Sequence, residues 1–368
     1  MATMQFSEQV AVALRSLYAR RGYAQYKMSK FEEYDLYARN KDFLISDHVI
    51  TFTDLSGKLM ALKPDVTLSI VKNSADRPDA VQKLYYHENV YRPAKGSHGF
   101  KEIMQVGLEI LGRVDDYCIT EALSLAAESL SAISADAVLD ISHLGLLTEL
   151  MDSIGIPPEQ QPRLVKFISG KNAHELTALC RESGIRDAHT ELLRTLISTA
   201  GAPEQVLPQL ETLLTGLVNA DTWTQFRTVI EALGNDPMLR IDFSVVNDLH
   251  YYNGFVIKGF VQGLPGSVLS GGQYDKLMQK MNRSAGAIGF AVYLDMLERL
   301  EQPGSGFDVD TVLLYDAQTP LAALRQAVAA LTEQFPSVLA QAALPEGLRY
   351  RQLLKLTDSE VQTIEKNA

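Results

Sequence analysis

Residues 89–112 read NVYRPAKGSHGFKEIMQVGLEILG. Two β-rich runs, "YYHENVYR" (85–92) and "KEIMQVGLEIL" (101–111), flank the loop "PAKGSHGF". Side chains alternate along a strand. The second run therefore sets Gln105, Gly107 and Glu109 on one face and Met104, Val106, Leu108 and Ile110 on the other. The apolar face belongs against a core. The other is amide, gap and carboxylate, with the glycine leaving room for something to approach. A buried carboxylate in mid-strand is costly without a cationic or donor-rich partner. Taken alone, the run reads more simply as a solvent-facing strand with ordinary alternation.

Other fragments share this chemistry. In "LKPDVTLSI" (62–70) a strand turns into a helix through Pro64, leaving Asp65 and Thr67 at the helix start. Asp there also suits the helix dipole with no further role. "SGGQYDKL" (270–277) pairs Gly271 and Gly272, which permit close backbone approach, ahead of Tyr274; alone it is also a turn. "VVNDLHYYNG" (245–254) sets Tyr251 and Tyr252 after Asn247 and Asp248, a pair that suits the wall of an amino-acid or nucleotide pocket. A pocket that also held ATP wants a cation nearby, and none lies between Arg240 and Lys258. His87, His98 and His250 show no metal-ligand spacing, and no glycine-rich phosphate loop is present.

Working outward, "MQFSEQVAVALRSLYARR" (4–21) has helical spacing and stops at Gly22. "HVITFTDLSGKLMALKP" (48–64) reads as a hairpin around "DLSGK". Short helices punctuated by Gly and Pro fill 145–235, an all-helical insertion. Strands resume over 236–302, and "GAIGFAVYLDMLERL" (286–300) reads as strand into helix. After the linker "EQPGSGFDVD" (301–310) comes a small β-α-β-β unit, 308–368, thin for independent stability.

The 368 residues suffice for two or three domains. With 34 Lys and Arg against 45 Asp and Glu, the net charge of −11 argues against a nucleic-acid binder, which shows a basic footprint. No apolar run is long enough for a membrane helix, and the N-terminus lacks the build of a signal peptide, so a cytoplasmic protein is expected. Cys118 and Cys180, far apart in helix-like contexts, read as reduced thiols.

In order, "LKPDVT", "NVYRPAKGSHGFKEIMQVGLEILG", "LDISHLG", "DLHYYNG", "SGGQYDKL" and "GAIGFAVYLDML" resemble the core of histidyl-tRNA synthetase, a class II synthetase, over roughly residues 5–300. The resemblance implies an α+β fold: a class II aminoacyl-tRNA synthetase-like antiparallel sheet of six strands with helices, cradling histidine and ATP. The core would occupy 1–144 and 236–302, with the helical insertion between and the small α/β unit at the C-terminus. It puts the family's ammonium-binding acid and threonine at Asp65 and Thr67, and its pocket amide and carboxylate at Gln105 and Glu109. A ring-facing tyrosine falls at Tyr252, with Tyr251, Gly271, Gly272 and Tyr274 completing the histidine pocket. Arg92 matches the arginine that grips the ATP α-phosphate.

The departures fall on the nucleotide side. Asn247 stands where the synthetase has its histidine-specific arginine, and Met296 where an arginine clamps ATP. Ser29 replaces the proline of the first motif and Pro93 the acid after the second motif's arginine. Losing one preorganised charge stabiliser costs roughly 10²–10³ in rate. Arg299, three residues past Met296, would lie about 4.5 Å along an α-helix and some 60° round it, a poor substitute.

A retained amino-acid half and a crippled ATP half, with "FEEYDLY" and "VLSGGQYDKLM", resemble the regulatory subunits of ATP phosphoribosyltransferase. The resemblance implies a non-catalytic chain that assembles with a short catalytic subunit. The pair would perform the first step of histidine biosynthesis, with histidine as feedback ligand. A homodimer within the hetero-oligomer is expected from class II cores, with no cofactor, no metal, no nucleic acid and no membrane. The alternatives are an active histidyl-tRNA synthetase and an amino-acid-activating paralogue. A purely structural protein fits the polar pocket poorly.

Overall fold

The hairpin of residues 89–112 is the spine of the fold. In the computed structural model, which describes residues 5–44, 48–94, 99–246, 251–300, 307–357 and 360–367, strand Val81–Pro93 runs antiparallel to Phe100–Gly112 from Val81 opposite Gly112 to Pro93 opposite Phe100. Beyond Phe100–Gly112 follow Gly286–Tyr293, Leu269–Gln273, Phe255–Val261 and Ala137–His143, each antiparallel to its neighbour. These are the six expected antiparallel strands. Three short strands extend them to nine: Ala24–Gln25, parallel to Val81–Pro93, at one edge, and Leu239–Asp242 with Ala200–Gly201 at the other. Two of the three are two residues long, too short to show alternation in the sequence.

The apolar face behaves as its period predicts: Val106, Leu108 and Ile110 are fully buried. Helix Phe6–Arg20 sends Tyr18 edge-on to Phe290 on this face. Helix Asp116–Ser131, capped by Asp115 accepting from the Cys118 amide at 2.9 Å, covers its centre and brings Leu130 over Gly259. Gly22, at φ +83°, supplies the left-handed turn that ends the first helix.

The "DLSGK" hairpin joins Thr51–Thr53 to Leu59–Leu62, and Phe31–Glu33 completes a three-stranded sheet. Helix Thr67–Asn73 follows. Residues 144–232 form the helices Leu144–Ser153, Gln161–Ser169, Ala173–Glu182, Asp187–Ser198, Pro203–Leu214 and Ala220–Ala232. Both cysteines are buried free thiols. After Tyr293 the chain enters a 3₁₀ helix, Leu294–Arg299, where the sequence reads as an α-helix. No helix among the described residues is long and apolar enough to cross a membrane.

The chain divides into two compact units, one spanning 10–297 and the other holding the described residues from 298 onward together with 5–9. In the second, Val309–Leu314 pairs in parallel with Val338–Gln341 and with Tyr350–Thr357, and helix Leu321–Thr332 packs Leu331 against Leu313, Leu354 and Leu356. The structure adds a strand to the expected β-α-β-β order, Glu360–Lys366, antiparallel to Tyr350–Thr357. It is exposed along its whole length, so no buried face marks it in the sequence.

Candidate functional site

Antiparallel register decides which side chains meet above the sheet. Opposite Gln105, Gly107 and Glu109 stand Glu88, Tyr86 and Leu84 on one neighbour and Tyr293, Ala291 and Gly289 on the other. Glu109, 2 % exposed, leans over Gly289: a Cβ there would lie 1.7 Å from its Oε2. The Thr67 hydroxyl donates to Glu109 Oε1 at 2.7 Å, and the Tyr274 hydroxyl donates to Oε2 at 2.7 Å. Two separate segments thus supply the donor-rich partner that the mid-strand carboxylate required.

The gap at Gly107 is not open, contrary to expectation. A Cβ there would lie 2.5 Å from the Tyr86 ring, which fills the space from the adjacent strand. Tyr86 is two residues, hence one same-face step, from Glu88 and three such steps from Arg92, so period two along "YYHENVYR" was the available signal.

Asp65 stands beside this group at the start of helix Thr67–Asn73, where its Oδ1 accepts from the Leu68 amide at 2.9 Å. Its other oxygen lies 3.8 Å from Arg92 Nη2, and Arg92 donates through Nε to the Pro64 carbonyl at 2.8 Å. Arg92 is therefore committed to the corner that carries Asp65.

The tyrosine pair behaves as a wall. The Tyr251 and Tyr252 rings are 4.6 Å apart, Tyr251 lies 6.0 Å from Tyr274, and Tyr252 sits against Gly272, where a Cβ would meet its ring at 2.8 Å. Gly271 does not join them. It points to the opposite face, where a Cβ would strike Phe290 at 2.4 Å, because adjacent residues of a strand face opposite ways. Gln105, 2 % exposed, has an Nε2 with no hydrogen-bond partner among the described residues, a buried donor that suits a ligand. Asn247, Asp248, His250 and His98 lie outside the described residues. His87 alternates onto the apolar side of its strand.

The pocket is acidic and poor in compensating charge. Burial is the main force on Glu109, pushing its carboxyl from 4.5 up to about 8 against the two hydroxyl hydrogen bonds, with Asp65 pushing the same way. Burial likewise raises Asp65, opposed by Arg92. The surrounding phenols of Tyr86, Tyr251, Tyr252 and Tyr274 are all held above their usual range, by burial first. Such a site gains from a ligand bringing positive charge or N–H donors and an aromatic face.

A stability prediction follows. The native chain holds the Glu109 proton more tightly than the unfolded chain, so ligand-free stability falls as pH rises from about 4.5 through about 8. The loss is on the order of a few kcal/mol. Thermal melts of the ligand-free protein across this window should show the decline, and Glu109→Gln should remove most of its slope. An unchanged slope in the variant would mean that Glu109 is not its source.

Met296 is half-buried in the 3₁₀ segment. Residues three apart eclipse in such a helix, about 6 Å along the axis. Arg299 is therefore not rotated away from Met296 within this element, and the α-helical reason for discounting it does not hold.

The sequence profile of the histidyl-tRNA synthetase family matches residues 2–297. An ATP phosphoribosyltransferase regulatory subunit from Clostridium kluyveri is 27 % identical over 319 residues, covering 83 % of this chain and 82 % of that one. Among solved structures, an ATP phosphoribosyltransferase regulatory subunit/histidyl-tRNA synthetase from Bacillus halodurans superposes with a TM-score of 0.77 at 21 % identity, covering 95 % of this chain and 93 % of the other. A chain of the ATP phosphoribosyl transferase (HisG:HisZ) complex from Thermotoga maritima does so with a TM-score of 0.62 at 18 % identity, over 78 % and 97 %.

Proposed function

The chain belongs to the histidyl-tRNA synthetase family, and we propose that it serves there as the regulatory subunit of an ATP phosphoribosyltransferase, binding histidine without activating it. The reading is carried by the Glu109 carboxylate held between the Thr67 and Tyr274 hydroxyls, with Asp65 beside it. These groups suit free histidine: acids for the ammonium and an imidazole N–H, the tyrosine wall for the ring, and the Gln105 Nε2, which has no partner among the described residues, for a remaining acceptor.

The nucleotide side supports a binding role. Arg92, 9 % exposed, is engaged by Pro64 and Asp65, and positions 247 and 296 carry Asn and Met. The partner in this reading is a short catalytic subunit, in keeping with the two components, HisG and HisZ, of the Thermotoga maritima complex. Histidine held in the pocket would lower the activity of the assembled enzyme.

Phosphoribosyl-ATP formation by the matching catalytic subunit tests this directly. Activity should appear only when both chains are present and should fall when histidine is added. A catalytic subunit equally active alone overturns the reading. Histidine-dependent ATP–pyrophosphate exchange by this chain would identify a synthetase instead, and its loss in Arg299→Ala would assign that arginine the clamping role.

A further inference from the structure

A histidine-binding pocket needs a positive charge for the ligand's α-carboxylate, and the other described cations around this face of the sheet are in ion pairs. On the same face of the sheet, Arg92 is 3.8 Å from Asp65, Lys101 is 2.9 Å from Asp295, and Arg240 is 3.6 Å from Asp140. Lys63, beneath the Asp65 corner, is paired with Glu88. Lys258 differs. Its side chain is half-buried, it makes no ion pair or hydrogen bond among the described residues, and burial alone holds its ammonium below the ordinary lysine range.

Register places Lys258 on the pocket's face and in line with it. Gly107, Ala291, Ser270, Lys258 and Asp140 stand side by side across five strands. One row over, Glu109, Gly289, Gly272 and Val256 do the same. The floor between Glu109 and Lys258 is thus made of Ala291, Ser270, Gly289 and Gly272, none with a side chain larger than a hydroxymethyl, with the Tyr252 ring lying against Gly272. Ala291 and Ser270 are partly exposed, and the Ser270 hydroxyl is hydrogen-bonded to Tyr293 at 2.7 Å. Because the Glu109 carboxylate already overlies Gly289, two strand steps and two residues separate it from Lys258 Cα. At the usual strand spacing and rise this is about 12 Å. A lysine side chain and one histidine molecule together span it.

We propose that Lys258 binds the α-carboxylate of the amino acid whose ring and ammonium are held at Glu109, Asp65 and Tyr252, supplying the charge that Asn247 does not. The inference rests on the histidine reading above. It makes Lys258 a specificity residue: the pocket selects a free amino acid over its amide or alcohol.

Calorimetric titration of the full chain with histidine and with histidinamide, which keeps the ring and ammonium but lacks the negative charge, tests it. Wild type should bind histidine more tightly. Lys258→Met should weaken histidine about ten- to hundredfold, the worth of a charge-assisted hydrogen bond, and leave histidinamide unchanged. Lys258→Arg should keep most of the histidine affinity. Wild-type affinity for histidine in Lys258→Met overturns the proposal, as does equal weakening of both ligands, which would mark a structural role. Glu109→Ala separates the two readings. If it abolishes binding while Lys258→Met does nothing, the histidine site stands and Lys258 has no part in it. If wild type binds neither ligand, the histidine reading fails and this one with it.

Discussion

Replacing Glu109 with alanine is expected to abolish histidine binding, weakening it more than a hundredfold, while leaving the chain folded. Both carboxylate oxygens are engaged, by Thr67 and Tyr274, so the substitution removes the ligand's acid partner and strands two buried hydroxyls. Truncating one member of a buried, hydrogen-bonded charged pair costs about 2–5 kcal/mol in binding, and the lost geometry adds to it. The fold itself gains one compensation, because a carboxylate that burial makes costly to ionise is gone. Calorimetry with histidine reads the affinity, and a melt at pH 8 reads the fold. Retained binding would remove Glu109 from the site. Loss of both binding and structure would leave the question to Glu109→Gln, which keeps the volume and one acceptor oxygen, puts an amide donor in place of the other, and carries no charge.

Much of this site was legible because strands obey a period of two. The alternation over 101–111 placed Gln105 and Glu109 on one face and buried Val106, Leu108 and Ile110 on the other, as the structure has them. What bonds Glu109 was not legible. Thr67 and Tyr274 lie 42 and 165 residues away, and no local pattern states which distant hydroxyl closes on which carboxylate.

Glycines misled in two ways. Gly107 looked like an opening, but it accommodates Tyr86; the space a glycine leaves is defined by its neighbours, which depend on strand order. Gly271 and Gly272 read as one feature, yet they face opposite sides, and the glycine that makes room for Glu109 is Gly289 in another motif. Along the sequence, Lys258 only marks the far limit of a stretch without cations. Register turns that limit into a position on the pocket's face, three strands from Glu109.

The other large effect is expected at Lys63, and it concerns how the pocket is held. Lys63 is 1 % exposed, and its ammonium bonds Glu88 on strand Val81–Pro93, whose other oxygen accepts from the Met28 amide at 3.1 Å. Its backbone amide donates to the Lys30 carbonyl, and its carbonyl accepts from the Tyr91 amide. The next two residues are Pro64, which receives Arg92, and Asp65. Lys63→Met keeps the stem and removes the charge, leaving the Glu88 carboxylate without its cation next to buried surface. Breaking a buried pair from one side costs about 3–5 kcal/mol, or roughly 10 °C in melting temperature for a unit of this size. Replacing both partners avoids that penalty, so Lys63→Met/Glu88→Gln should recover most of the loss, the amide still accepting from Met28. A double variant no more stable than the single one would show that the lysine acts through packing. If the pair instead sets the Asp65 corner, histidine affinity should fall in Lys63→Met and return with stability in the double variant, tying the amino-acid site to an ion pair that the ligand never touches.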